Sequence, residues 1–361
     1  MQQSKVERLW QDVAWKKLEY SRGQAKAAGN AIAKSDFSRL SKEDALAVVN
    51  NWRAAHAYPL QVFYMACKRT AAKHSDAIVA QRLKRLDSIV GKLRREQGMS
   101  VVRMQDFGGC RMIVNNTADV YDAIAALKQS RMRHELVREY DYIEAPKKSG
   151  YRCVHLVYKY RSDKNTDYNG LMIEVQIRTK LQHLWATAVE VLSLYTKSDM
   201  KSSRGDAGML RYMELISALF SIAEGTPLGE NVPQTQGGIL AELKSLEGAS
   251  ALTVLRTMRH AIKIKDDLTL SKDGLFLLEK SIETGELSIH FYDKWAIDLA
   301  LSQYEVLEAD TSIDVVLVSV ANIDMLKRAY PNYFSDVSEF IAIAAVLIDP
   351  STLENHSDVI A

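Results

Sequence analysis

The sequence predicts an α/β fold, a mixed sheet flanked by helices, and three observations carry that expectation. Residues 171–177 alternate, with Leu171, Ile173, Val175 and Ile177 on one face and Met172, Glu174 and Gln176 on the other; a period of two marks a strand. Residues 110–114, Cys-Arg-Met-Ile-Val, are an apolar run of strand length behind Gly108 and Gly109. Between these lie a helical stretch over 119–128, with Val120, Ile124 and Leu127 at helical spacing, and a further strand beginning at Tyr151. Strand, helix, strand in this order is an α/β core.

The 361 residues are 47% apolar and 25% charged, as in a packed globular chain, and the length suggests two domains. A net charge of +2 gives no global attraction to nucleic acid or membrane, so any basic site has to be local. Cys67, Cys110 and Cys153 are far apart with no CxxC pair and read as buried thiols of a reducing compartment. The N-terminus has no apolar signal core, and no run approaches the roughly 18 apolar residues of a membrane span. A cytoplasmic protein with no membrane partner is expected.

In chain order, residues 3–35 read as helix, with Val6, Leu9, Trp10, Val13 and Leu18 as a discontinuous stripe. Ser41-Lys-Glu-Asp resembles a capping box and opens a second helix through Trp52. Tyr58-Pro59 reads as a break, and a third helix follows over 60–73. Residues 77–95 read as another helix. Leu83, Leu86, Ile89, Val90 and Leu93 form its buried face, and Lys84, Ser88 and Lys92 share a different one. With Arg82, Arg85, Arg94, Arg95 and Arg103 nearby, the segment is strongly positive. It is either a solvated basic face or a grip on phosphates, which need fixed cations and hydroxyl donors.

Asp106 stands at the mouth of the 110–114 strand beside two glycines. It either caps a turn or holds magnesium. The turn Pro146-Lys147-Lys148-Ser149-Gly150 delivers Tyr151 onto the next strand, where Tyr151, Cys153, His155 and Val157 share a face. A tyrosine beside a lysine turn suits a nucleobase with phosphates. Glu174, Gln176 and Arg178 line one face of their strand, and three unlike polar groups in a row suit a site floor. A long helix over 181–195 follows, with His183, Trp185 and Glu190.

Taken together, RLKRLDSIVGK, DFGGCRMIV, DYIEAPKKSGYRCVHLVY and IEVQIRT followed by QHLWA resemble, in order and spacing, the synthetase domain of the RelA/SpoT family. The resemblance covers residues 45–200. It implies a nucleotidyltransferase-like fold and a pyrophosphokinase that uses Mg2+ and moves pyrophosphate from ATP to the 3′-hydroxyl of GDP or GTP, making (p)ppGpp. By the same resemblance Arg82, Lys84, Ser88 and Lys92 match the grip on the ATP phosphates, and Asp106 matches a magnesium ligand. Tyr151 matches the ring that stacks on the acceptor base, and Lys147 and Lys148 the turn near the acceptor phosphates. Glu174 matches a carboxylate at the second magnesium position or one that activates the 3′-hydroxyl, with His155, Gln176 and Arg178 beside it. No His-Asp dipeptide occurs, so a synthesis-only member is expected. The helix after IEVQIRT departs from the family pattern and resembles a subgroup with toxins that modify the 3′ end of tRNA or make adenine alarmones, some in phage defence. That is the alternative function. A non-catalytic nucleotide-binding module is the second alternative, and the two carboxylates argue against it.

The expected domains are a helical segment over 1–44, the synthetase over 45–200, a helix and Gly/Pro-rich linker over 201–238, and a small α/β module over 239–361. In the module, helix is expected over 239–264 around Leu240, Leu243, Leu246 and Leu255. Strands are expected over 275–282, 286–292 and 314–320, with helices over 294–307, 322–329 and 336–348. His260, His290 and His356 stand alone there. Regulation, neutralisation of the synthetase within the same chain and homo-oligomer formation are the roles carried forward for this module.

Overall fold

A computed structural model describes residues 15–130, 132–196, 206–246, 252, 274–293, 296–308, 310, 312–320, 322–334 and 337–356. The chain opens with α1 (Arg22–Lys34), α2 (Lys42–Ala54) and α3 (Ala57–Ala71). Ser21 and Gln24 form a full capping box that starts α1. The expected helix over 3–35 is therefore shorter at its start: residues 15–19 are irregular, and residues 1–14 lie outside the described ones. Ser41 caps α2 as expected, through Asp44 N–H. Pro59 does not break α3. It occupies the first turn, where an amide has no partner within the helix and the missing N–H costs nothing.

Residues 77–95, read as one helix, are a strand and then a helix: β1 (Ile78–Leu83) and α4 (Leu86–Arg95). Arg85, extended at φ −61° and ψ 144°, separates them. Pairing on both sides of β1 decides the matter, because two ladders satisfy its backbone and bury Ile78, Val79 and Ala80. Helical spacing survives in α4, where Ile89 and Leu93 are buried.

The core continues through β2 (Gly108–Val114), α5 (Thr117–Gln129), β3 (Glu135–Asp141), β4 (Val154–Lys159), β5 (Met172–Thr179), α6 (Lys180–Thr196) and α7 (Ala207–Glu224). The C-terminal part contributes α8 (Gln236–Ser245), β6 (Gly274–Ser281), β7 (Leu287–Tyr292), α9 (Ile297–Glu308), β8 (Ile313–Val320), α10 (Ile323–Ala329), the short α11 (Pro331–Phe334) and α12 (Ser338–Ile348). Leu255 and His260, within the helix expected over 239–264, lie outside the described residues.

All eight strands form one mixed sheet in the order β3-β4-β5-β2-β1-β8-β6-β7. Only β2 and β5 run parallel; the other neighbours are antiparallel. The strands of the C-terminal part, expected within a small α/β module over 239–361, continue the first sheet through β1 and β8. Their shared core mixes Ile78, Ala80 and Ile113 with Phe276, Val318, Leu326 and Tyr333. On the other side of the sheet α1–α3 pack over Cys110, Met112, Ile173 and Val175, and α6, α7, α8 and α12 form a separate helical core. No helix among the described residues is long and apolar enough to cross a membrane.

Candidate active site

The parallel pair β2–β5 fixes the site. Glu174 lies opposite Gly109 on β2 and Val157 on β4, while Gly109 lies opposite Arg82 on β1. One row across the sheet thus reads Glu174, Gly109, Arg82. Gly109 leaves open space there, since a Cβ at this position would meet nothing within 4 Å. Gly108 serves close packing instead, because its Cβ would fall 2.8 Å from Ile173 Cδ1. The next row pairs His155 with Gln176 and Gln176 with Arg111.

Two cavities meet at the carboxylates. The larger, about 400 Å³, is lined by Lys92, Asp106, Lys147, Glu174, Gln176 and an aromatic wall of Tyr140, Tyr142, Tyr151 and Trp185. A smaller one, about 140 Å³, is lined by Arg82, Lys84, Arg111 and Tyr330, and shares Asp106, Glu174 and Gln176 with the first. The larger arm is walled by aromatic rings with Lys92 and Lys147 among them, and the smaller is lined mainly by cations.

Lys84 Nζ donates to Asp106 Oδ2 at 2.7 Å and Lys92 Nζ to Oδ1 at 3.2 Å. Burial pushes the Asp106 carboxyl up, but the two ammonium groups outweigh it and hold the group below its usual value. Glu174 accepts from His155 Nδ1 at 2.9 Å and from Gln176 Nε2 at 2.7 Å. Burial pushes Glu174 up as well; the hydrogen bond and charge of His155 outweigh it and keep Glu174 ionised. Burial works against the His155 imidazolium, yet its phenol, thiol and carboxylate neighbours raise it well above its usual value. His155 thus bridges Glu174 and Tyr151, with Nδ1 2.9 Å from Glu174 Oε1 and Nε2 2.9 Å from the Tyr151 oxygen. Lys147 Nζ sits 4.3 Å from the Tyr142 ring centre and 5.1 Å from that of Tyr151, so the turn's cation and the aromatic wall form one surface.

Nine of the twelve residues singled out from sequence line these cavities: Arg82, Lys84, Lys92, Asp106, Lys147, Tyr151, His155, Glu174 and Gln176. Ser88 does not: Lys84 lies in the loop between β1 and α4, so the three residues do not share one helix face, and Ser88 is exposed on α4. Lys148 is exposed on the turn beside Lys147. Arg178 is buried further along β5, where its guanidinium donates to His183 Nδ1 at 2.5 Å and His183 Nε2 donates to the Arg328 carbonyl at 2.7 Å. Sequence reasoning missed Tyr140, Tyr142, Arg111 and Tyr330. The tyrosine pair carries a signal, two aromatics spaced by two at a strand end; Tyr330, 219 residues from Arg111, carries none. Arg111 donates to the Ala329 carbonyl at 3.0 Å and lies 5.6 Å from the Tyr330 ring centre. Its pKa is pushed down to about 10 by burial and by Arg178 and Arg82.

Residues 81–200 match the family described as the region found in RelA and SpoT proteins. This stretch is a RelA/SpoT region. Over 115 residues the chain is 33% identical to the GTP pyrophosphokinase YwaC of Bacillus subtilis, covering 29% of this chain and 52% of that protein. Over 111 residues it is 32% identical to the GTP pyrophosphokinase YjbM of the same organism, covering 30% and 52%. The chain thus spans about half the length of the curated relatives it matches. A crystal structure of small alarmone synthetase 1 from Bacillus subtilis, bound to its product pppGpp, is 27% identical. That similarity covers 48% of this chain and 89% of the other at a TM-score of 0.40. The RelA/SpoT region holds every carboxylate and all but one of the named cations and rings of the two cavities; Tyr330 lies outside it.

Proposed function

We propose that the RelA/SpoT region is an ATP-dependent pyrophosphokinase whose acceptor is the 3′-hydroxyl of a guanine nucleotide, GDP or GTP. One observation carries the reading: Asp106 and Glu174 stand where a cation-lined arm meets an aromatic arm. The relatives named GTP pyrophosphokinase support it. In this reading Arg82, Lys84 and Lys92 hold the phosphates of ATP, and Tyr140, Tyr142 and Tyr151 hold the acceptor base with Lys147 near its phosphates. Glu174, fixed by His155 and Gln176, keeps a free lone pair on each oxygen to orient the 3′-hydroxyl and take its proton. The 3′-oxygen then bonds to the β-phosphorus of ATP, the bond from that phosphorus to the α,β-bridging oxygen breaks, and AMP leaves. Alignment and charge neutralisation supply most of such a rate enhancement.

The donor set fits Mg2+. Among the described residues no three His, Cys, Asp or Glu side chains converge, but magnesium is commonly held by one or two carboxylates together with substrate phosphates. Asp106 and Glu174 would hold it, and it would supply neutralisation of charge on the phosphate oxygens.

The reading extends to restraint of the enzyme by its own C-terminal part. Tyr330, buried in the C-terminal core, lines the cationic arm beside Arg82, Lys84 and Arg111; in this reading its ring narrows the space that ATP enters. Tyr330→Ala is expected to tighten binding of a non-hydrolysable ATP analogue and to speed transfer. Unchanged affinity and rate in the folded variant would remove the restraint and leave the activity standing. The activity itself is tested with γ-labelled ATP and separate acceptors, GDP, GTP, ADP and bulk tRNA. Label on a guanine nucleotide with equal AMP supports the reading, and label on tRNA or ADP would replace it.

A further inference from the structure

The loop between β1 and α4 carries Lys84 and leads into the helix of Lys92, and its own side chains do not cap that helix. Arg85, the residue before the first turn of α4, makes no side-chain capping bond. The cap comes instead from α9 in the C-terminal part. Glu308 Oε1 accepts the Leu86 backbone N–H at 2.8 Å, across 222 residues of chain. The same carboxylate accepts from Tyr304 OH at 2.7 Å and pairs with Arg53 at 2.7 Å. Arg53 is 2% exposed, and its Nη1 also reaches the Tyr304 oxygen at 3.0 Å and the Lys84 carbonyl at 3.5 Å. On the other side of the loop Arg85 pairs with Asp314 at 2.5 Å, and its guanidinium lies 5.3 Å from the Tyr333 ring centre. The Lys84 N–H donates to the Phe107 carbonyl at 2.8 Å, next to Asp106.

We infer that Glu308 is a positioning residue for the donor-nucleotide arm: by capping α4 and fixing Arg53 it sets where Lys84 and Lys92 stand against Asp106. The inference rests on the pyrophosphokinase reading only for the identity of the ligand. A negative group at a helix N-terminus is favourable because the first amides and the helix dipole are both positive there. A buried guanidinium stripped of its carboxylate is costly, so Arg53 ties the loop to the cap. The C-terminal part then has two separable roles. It obstructs the cationic arm through Tyr330 and builds that arm through Glu308. Loss of the whole part would not activate the enzyme, whereas displacement of Tyr330 with Glu308 left in place would.

The test compares full-length wild type with Glu308→Ala, Glu308→Gln and Tyr330→Ala, and Glu308→Ala is also made in the Tyr330→Ala background. Binding of a non-hydrolysable ATP analogue and of GDP is measured separately, together with amide exchange at residues 86–88. Glu308→Ala is expected to weaken the ATP analogue about tenfold, the scale of a lost cap, with GDP affinity unchanged and the first turn of α4 exchanging faster. Glu308→Gln retains an acceptor for the Leu86 amide and is expected to recover part of the affinity. ATP-analogue affinity within twofold of wild type in a folded Glu308→Ala protein would overturn the inference, as would an equal loss for both ligands. ATP binding that responds to Glu308 without any transfer would sink the pyrophosphokinase reading and leave the positioning role standing. No ATP-analogue binding in wild type and Tyr330→Ala alike would overturn both.

Discussion

Asp106 and Glu174 are held in opposite ways. Asp106 is gripped by two lysines that a polyphosphate would also attract, so ligand entry exchanges one anion for another at Lys84 and Lys92. Glu174 is gripped by His155 and Gln176, neutral or cationic donors that stay with it. Asp106→Asn and Glu174→Gln are each expected to lower pyrophosphate transfer by about 10²–10³, the usual cost of one preorganised group, with folding intact by circular dichroism. Both carboxylates were legible in the sequence, because one stands at a glycine pair and the other in an alternating strand. His56 makes a residue-scale statement about stability. It is buried, donates from Nδ1 to the Trp52 carbonyl at 2.7 Å and stacks on Phe107 at 5.0 Å. Burial lowers its pKa from 6.5 to about 4, the Trp52 hydrogen bond opposing. Between those values the unfolded chain binds a proton that the folded chain does not, so stability falls as pH drops, by about 3 kcal/mol in all. Denaturant unfolding at pH 7 and pH 5 is expected to reveal that slope, and His56→Gln is expected to remove its share.

At the scale of elements, the lysine turn proposed to meet the acceptor is held from outside the RelA/SpoT region. Gly150 has φ +85°, and its Cβ would fall 2.9 Å from Ser217 Cβ and 3.2 Å from Glu214 Cα on α7. Ser217 also donates to the Gly150 carbonyl at 2.5 Å. Gly150→Ala is expected to cost on the order of 1–2 kcal/mol from the left-handed backbone alone, read by thermal unfolding, and to raise KM for the acceptor more than for ATP. The lysine turn itself was legible from Pro146 and Gly150, and its partner helix was not, because a turn signal says nothing of what packs on it. Residues 77–95 teach the same lesson: apolar positions at 83, 86, 90 and 93 fit a helix, while pairing with β2 and β8, invisible locally, makes a strand of the first part. Ser88 was misplaced because Lys84, the start of its supposed helical line, lies in the loop before α4.

For the whole molecule, the decisive feature is one sheet that runs from the RelA/SpoT region into the C-terminal part through β1 and β8. Elements of the C-terminal strand–helix pattern were readable from alternation and from the Glu283-Thr-Gly turn, where Gly285 has φ +74°. Their docking was not, since Glu308, Asp314 and Tyr330 meet Leu86, Arg85 and Arg111 only after folding brings distant strands together. The activity proposed for this site is pyrophosphate transfer at the junction of the two arms. Purified full-length protein with γ-labelled ATP, magnesium and GDP or GTP tests it most directly. Label is expected on the guanine nucleotide with one AMP formed per transfer, faster in Tyr330→Ala and slower by about 10²–10³ in Glu174→Gln. Label remaining on ATP with no AMP in both wild type and Tyr330→Ala would contradict it.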